Sequence, residues 1–234
     1  MFSTAFLQKE VNMKLAQLLS LVTLCATACA QDLSVAAVKR AFDNANIPTD
    51  LKINFNPKFL LEVVLPQPSG LPVLVHTGIQ LPRNDTAGPP VFNLINPSNP
   101  LGQNAGPGPF VIAAVDPDAP SPTNTSNAQV RHFLGGDFLP ARLPIPGAGS
   151  VESPLLSNTS AAISDWRQPT PTMGNHRYVF LVFNQPNGFD ANSQAFVNAT
   201  TPIQRWDVAT FIQQVGLGEP IAGTFMMVAN PDSP

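Results

Sequence analysis

Two stretches of this chain carry apolar residues at the three- and four-residue spacing of a helix, and much of the rest alternates short apolar runs with turn residues. In the first stretch Val35, Val38, Phe42 and Ala45 share one face behind Ser34, a residue suited to capping a helix start, and Pro48 lies beyond the end. A helix is predicted from about Val35 to Ala45. In the second, Val208, Phe211, Ile212 and Val215 follow Asp207 as a cap and precede Gly216 as a terminator.

The short runs Leu60 to Leu65, Val73 to Val75 and Val91 to Leu94 read as strands, bounded by Pro, Gly, Asn and Ser. Phe110 to Val115, His176 to Asn184 and Thr224 to Ala229 are stronger, being apolar enough to lie at the centre of a sheet. From Leu139 to Ser164 the chain is rich in Pro, Gly, Ser, Thr and Ala, which predicts a long exposed loop. Many short strands and few helices predict a mainly β fold, an antiparallel β-sandwich with a few peripheral helices. No internal repeat or heptad pattern is present.

A different pattern stands at the N-terminus. Lys14 precedes the apolar stretch from Leu15 to Ala30, which ends in the small residues Ala28-Cys29-Ala30, the form of a secretory signal peptide. The stretch is too short for a bilayer span and is interrupted by Gln17 and Ser20. A lipoprotein reading with Cys29 as the lipidated residue is weakened by Ala26-Thr27-Ala28, which lacks a large aliphatic residue. Cleavage after Ala30 would leave Gln31 first. Residues 1–30 are therefore read as an extension plus signal peptide, with the better-formed start at Met13, and residues 31–234 as one domain.

Both cysteines, Cys25 and Cys29, fall in the leader, so the mature domain must be held by its core without disulfides. Four sequons, at Asn84, Asn124, Asn158 and Asn198, suit N-glycosylation on a eukaryotic secretory route. A secreted or vacuolar glycoprotein with no transmembrane segment in the mature chain is the expectation.

Composition narrows function. The formal net charge is -3 and becomes slightly more negative once Lys9, Lys14 and Glu10 leave with the leader, which argues against nucleic-acid binding. Pro at 26 and Gly at 15 stay below the fraction that marks disorder, and 44% hydrophobic residues is ordinary for a globular chain.

Candidate chemistry is sparse. Of three histidines, His132 and His176 sit beside strand candidates, and Asp116-Pro117-Asp118-Ala119-Pro120 directly follows the Phe110 to Val115 strand. Each proline keeps the residue before it extended, so the loop leaves the strand stiff. Such a loop either preorganises two carboxylates for a polar site or is a tight turn whose Asp side chains satisfy backbone N–H groups. Composition alone favours the turn.

Three blocks change that balance. Asp116-Pro117-Asp118-Ala119-Pro120-Ser121, then Arg131-His132-Phe133, then His176-Arg177-Tyr178-Val179-Phe180-Leu181-Val182 resemble, in order, the signature blocks of the phosphatidylethanolamine-binding protein family. Pro220 to Phe225 resembles the block before that family's last core strand, and Arg83 to Pro90 resembles its secreted fungal members. The resemblance implies a small surface cavity for phosphate-like anions and phospholipid head groups, lined by Asp116, Asp118, His132 and His176, with Tyr178 on the wall and Pro120 at the rim. It also implies a β-sandwich, no cofactor and no catalysis, and, through carboxypeptidase inhibitors among the fungal relatives, a serine carboxypeptidase as a candidate partner.

Two departures bear on the cavity. Trp166 to Pro171 stands where relatives often carry a glycine-rich loop, and Asn127 and Val130 stand where some animal relatives have aromatic side chains, so the wall is expected to be more open. Bare carboxylates repel phosphate, so Asp116 and Asp118 are cast as orienters that keep the histidines partly protonated. The alternative is a metal-dependent hydrolase using the Asp/His cluster. No His-x-x-x-His, Glu-x-x-His or cysteine pair supports it, and no Gly-x-Ser-x-Gly elbow supports a serine hydrolase.

Overall fold

The structure is a computed structural model that describes residues 34–98, 106–145, 149–198 and 200–230. The expected signal peptide and the expected first residue, Gln31, lie outside these residues. Among the described residues there are nine strands: β1 Leu60–Leu65, β2 Val73–Val75, β3 Ile79–Gln80, β4 Val91–Ile95, β5 Phe110–Asp116, β6 Val130–Ile145, β7 Gly149–Asn158, β8 Asn175–Asn184 and β9 Ala222–Ala229. Four α-helices accompany them among the same residues, α1 Val35–Asn44, α2 Ile47–Leu51, α3 Phe189–Gln194 and α4 Val208–Val215, with one 3-10 helix at Arg83–Thr86.

All nine strands join one sheet in the order β2-β1-β4-β7-β6-β5-β8-β9-β3, and β3 runs parallel to β9 while the other pairs are antiparallel. The expected antiparallel β-sandwich is thus corrected to one mixed, barrel-like sheet. The sheet curls until β1 meets β9, and the amides of Lys58 and Phe59 both donate to the Ile221 carbonyl. Register shifts in the β5–β6 and β6–β7 ladders supply local bends that help it curl.

The central strands are buried on both sides, which explains their unbroken apolar runs. Phe110, Ile112 and Ala114 of β5, with Phe180 and Val182 of β8, point into the interior of the curl. Val111, Ala113, Val115, Val179, Leu181 and Phe183 face the opposite way, beneath the helices. There Phe42 of α1 stacks on Phe55 at 3.9 Å between ring centroids and meets Phe225 edge-on at 5.4 Å.

The two predicted helices are present with their predicted caps. Ser34 Oγ accepts from the Ala37 amide at 3.1 Å and Asp207 Oδ1 from the Thr210 amide at 2.9 Å. Gly216 ends α4 in the left-handed region, with φ 73°.

The loop expected from Leu139 to Ser164 is corrected to a ribbon of two strands. Residues 139–145 extend β6, and β7 returns beside it to Asn158. No described strand pairs with β6 beyond Phe138 on its β5 side, so Pro140 and Pro144 sit in a ribbon with one open edge, where a missing N–H is tolerated. All four sequon asparagines are exposed.

Candidate functional site

β5 ends at Asp116, while β6 and β8 begin at Val130 and Asn175. Because both neighbours run antiparallel to β5, its exit and their entries share one sheet edge, with Asp116 opposite Val130 and Val115 opposite Val179. The ladder passes from Ala114 opposite Phe133 to Val115 opposite Arg131, which leaves His132 as the extra residue of a bulge. Three residues distant in sequence thereby converge.

His176 Nδ1 lies 2.9 Å from Asp116 Oδ2, and His132 Nε2 lies 4.0 Å from the same oxygen. All three side chains are buried. Asp116 Oδ1 accepts from the Asp118 amide at 2.7 Å, so one oxygen fixes the turn while the other faces the histidines. Tyr178 stands by both rings, edge-on to His132 at 5.0 Å and nearly parallel to His176 at 6.3 Å. The Ala119–Pro120 peptide is cis.

These groups line a cleft of about 590 Å³. One wall is the segment from Trp166 to Thr172, the other is Ile203 and Gln204, and Pro120 and Asn127 border the mouth. The first wall is anchored from behind. Trp166 Nε1 donates to the Thr86 carbonyl at 3.1 Å, Gln168 Nε2 to the Arg83 carbonyl at 2.9 Å, and the indole stacks on Phe180. Arg167 is exposed on the lining and its amide donates to the His132 carbonyl.

The hydrogen bonds set the proton inventory. His176 meets acceptors at both nitrogens, Asp116 at Nδ1 and the Met173 carbonyl at Nε2 (3.1 Å), so with Asp116 ionised it satisfies both only as an imidazolium. Burial pushes its pKa down, but the hydrogen bond and charge of Asp116 outweigh that and hold it above the ordinary 6.5. His132 donates Nδ1–H to the Arg167 carbonyl at 2.7 Å, and burial holds its pKa below 6.5 despite that bond and Asp116. Its Nε2 is therefore an acceptor near neutral pH. Burial, then the Asp116 charge, pushes the Tyr178 phenol up, so it stays protonated.

The sequence model of the phosphatidylethanolamine-binding protein family matches residues 76–226, which contain every one of these groups. The chain belongs to that family. It is 32% identical over 89 residues to the carboxypeptidase Y inhibitor of Saccharomyces cerevisiae, spanning 36% of this chain and 41% of that one. It is 27% identical over 125 residues to the protein BROTHER of FT and TFL 1 of Arabidopsis thaliana, spanning 53% and 60%. The alignments thus span about half the length of these curated relatives.

Among solved structures, the carboxypeptidase Y inhibitor complexed with its cognate proteinase superposes with a TM-score of 0.65 at 22% identity, covering 83% of this chain and 96% of that one. The phosphatidylethanolamine-binding protein from Plasmodium vivax gives 0.54 at 15% identity, covering 81% and 96%. These likenesses carry the fold.

Within this family member, Asp118 differs from its expected place. It is buried but does not line the cleft, because both oxygens are taken by Arg177: the amide at 2.7 Å, Nε at 2.9 Å and Nη2 at 2.6 Å. Its influence on His176 is a distant charge effect. Arg177 continues to Asp50 at 2.7 Å and to the Ala45 carbonyl, tying the loop to the N-terminal helices. Sequence reasoning also missed Arg167, Gln168, Thr172 and Gln204 on the lining. The only signal for the first two was that their segment departs from the family's glycine-rich loop.

Proposed function

We propose that this member of the phosphatidylethanolamine-binding protein family is a non-catalytic module whose cleft holds a phosphate-bearing anion, such as a phospholipid head group. The observation that carries the reading is the buried Asp116–His176 ion pair at 2.9 Å on the cleft lining. It cancels the carboxylate charge that would repel phosphate, and leaves the Arg167 cation and the Gln168, Asn127 and Gln204 amides around the anion.

Affinity for phosphoethanolamine is expected to rise as pH falls. Above its raised pKa His176 loses its proton and leaves Asp116 bare, and below the lowered pKa of His132 a second imidazolium forms. His176→Ala should weaken binding at pH 5.5 by about 2–3 kcal/mol, because it leaves the Asp116 carboxylate uncompensated, a unit charge roughly 6–8 Å from the anion at an effective dielectric near 20. Calorimetric titration of both proteins at pH 5.5 and 7.5 checks this, and equal affinities under all four conditions would remove the cleft from consideration.

A metal-dependent hydrolase is less well supported. Both His176 nitrogens and His132 Nδ1 are committed to protein acceptors. Among the described residues no group of three or more His, Cys, Asp or Glu side chains is arranged to hold a metal.

The similarity to the carboxypeptidase Y inhibitor supports a serine carboxypeptidase as partner, and the sequons and leader support export to the cell exterior or vacuole. No helix among the described residues is long and apolar enough to cross a membrane. Protein recovered from the medium of its host should begin at Gln31, carry glycans on one or more of Asn84, Asn124, Asn158 and Asn198, and inhibit a serine carboxypeptidase in a peptide hydrolysis assay. Full protease activity in excess protein would end the inhibitor reading.

A further inference from the structure

Arg131 is the most anomalous side chain in the core. It is 1% exposed, yet Nε and Nη1 have no hydrogen-bond partner, and no carboxylate pairs with it among the described residues. Among those residues its charge-compensating contacts are Nη2 to the Thr201 carbonyl at 3.2 Å and the Trp206 ring, 5.5 Å from Cζ. A buried cation without an anion is a cost that folds normally avoid, either by pairing the charge or by replacing it with an apolar residue.

Its position suggests what the cost serves. Arg131 lies between Val130 and His132, both on the cleft lining, and its amide donates to the carbonyl of Ile203, which lines the opposite wall, at 2.8 Å. The guanidinium, held at the Thr201 carbonyl and the Trp206 ring, lies against the same stretch of chain whose Ile203 and Gln204 line the cleft. Burial, then the charge of Arg167 on the lining, pushes the Arg131 pKa down to about 10, so the group stays charged at neutral pH. While His176 keeps its proton and neutralises Asp116, two arginines give the cleft its sign, and above that point their charge still offsets the carboxylate.

We propose that Arg131 is kept in the core without a counter-ion so that its positive field reaches the cleft and sets its preference for anions over zwitterions. This rests on the anion-binding reading of the cleft and adds a specificity determinant that touches no ligand. A field from the core acts on the net charge of whatever occupies the cleft, whereas lost packing would weaken all occupants alike.

The test compares wild type with Arg131→Met, which keeps length and removes charge, using inorganic phosphate, phosphoethanolamine and glycerophosphoethanolamine at pH 7.5. These probes are a dianion, a net monoanion and a zwitterion, and the last carries the lipid head group without free phosphate. For a unit charge roughly 10 Å away at an effective dielectric near 20, affinity should fall on the order of tenfold per negative charge on the occupant, so phosphate should lose on the order of a hundredfold. Phosphoethanolamine should lose less and glycerophosphoethanolamine nothing, while the melting temperature rises by a few degrees because an unpaired buried charge is gone. If Arg131→Met does not fold, Arg131→Gln, whose amide can still donate to the Thr201 carbonyl, gives the same comparison. Unchanged phosphate affinity, or an equal loss for all three probes, overturns the inference alone; no binding of any probe by wild type overturns the anion reading and the inference together.

Discussion

Asp118→Ala is expected to destabilise the fold by about 3 kcal/mol, the low end of the cost of breaking a buried ion pair by removing one partner. Asp118 is buried and accepts three hydrogen bonds from Arg177, one of them from the backbone amide at the start of β8. The variant strands a largely buried guanidinium and an orphaned amide. Asp50, closer to solvent at 38% side-chain exposure, remains as a partial counter-ion, which keeps the loss from reaching about 5 kcal/mol. Chemical denaturation at pH 7 measures the change, and a loss under about 1 kcal/mol, the scale of an exposed pair, would mean that the Asp118–Arg177 link does not hold the loop. Anion affinity of the folded fraction should change much less than in His176→Ala, because Asp118 does not line the cleft.

That division of labour between two neighbouring aspartates shows what the sequence could and could not convey. Local signals were legible: Ser34 and Asp207 cap α1 and α4, and the unbroken runs of β5 and β8 mark strands buried on both sides. Pro48 lies beyond the first helix, as its ring requires, but it also sits in the first turn of α2, where its missing N–H costs nothing. The β6–β7 ribbon was hidden by composition, although Leu139, Ala141, Leu143 and Ile145 alternate with Pro140, Arg142 and Pro144. Strand pairing was not legible, and with it went the curl of the sheet.

The site followed the same rule. The blocks around Asp116, His132 and His176 named residues that the structure brings together, but which oxygen of which aspartate faces which nitrogen depends on contacts between residues 60 positions apart in the chain. The turn reading and the site reading proved compatible, since Asp116 serves the Asp118 amide with one oxygen and His176 with the other. Nothing in Arg131-His132-Phe133 signals that the arginine points into the core beneath Trp206.

Asp116→Asn carries the other large expected effect, and its signature is a pH slope. In the wild type the folded-state pKa of His176 is raised above 6.5 by Asp116, against the opposing pull of burial. A raised folded-state pKa contributes stability that is fully present below the unfolded value and lost as pH rises through the folded one. Wild-type stability is therefore expected to decline as pH rises from the ordinary 6.5 through the raised folded-state value. The amide that replaces the carboxylate cannot supply the charge, so burial dominates, the His176 pKa falls, and the decline should disappear or reverse. At pH 6 the variant should lose about 3–5 kcal/mol, since both partners of the pair are almost wholly buried, at 2% and 4% side-chain exposure, and no second carboxylate among the described residues contacts His176 to compensate. Once pH has risen past the raised folded-state value, where wild-type His176 has also lost its proton, the two proteins should converge. Urea unfolding at pH 6, 7.5 and 9 tests the pattern: parallel profiles separated by a constant offset would show that Asp116 acts through the Asp118 amide and the turn, not through the charge of His176.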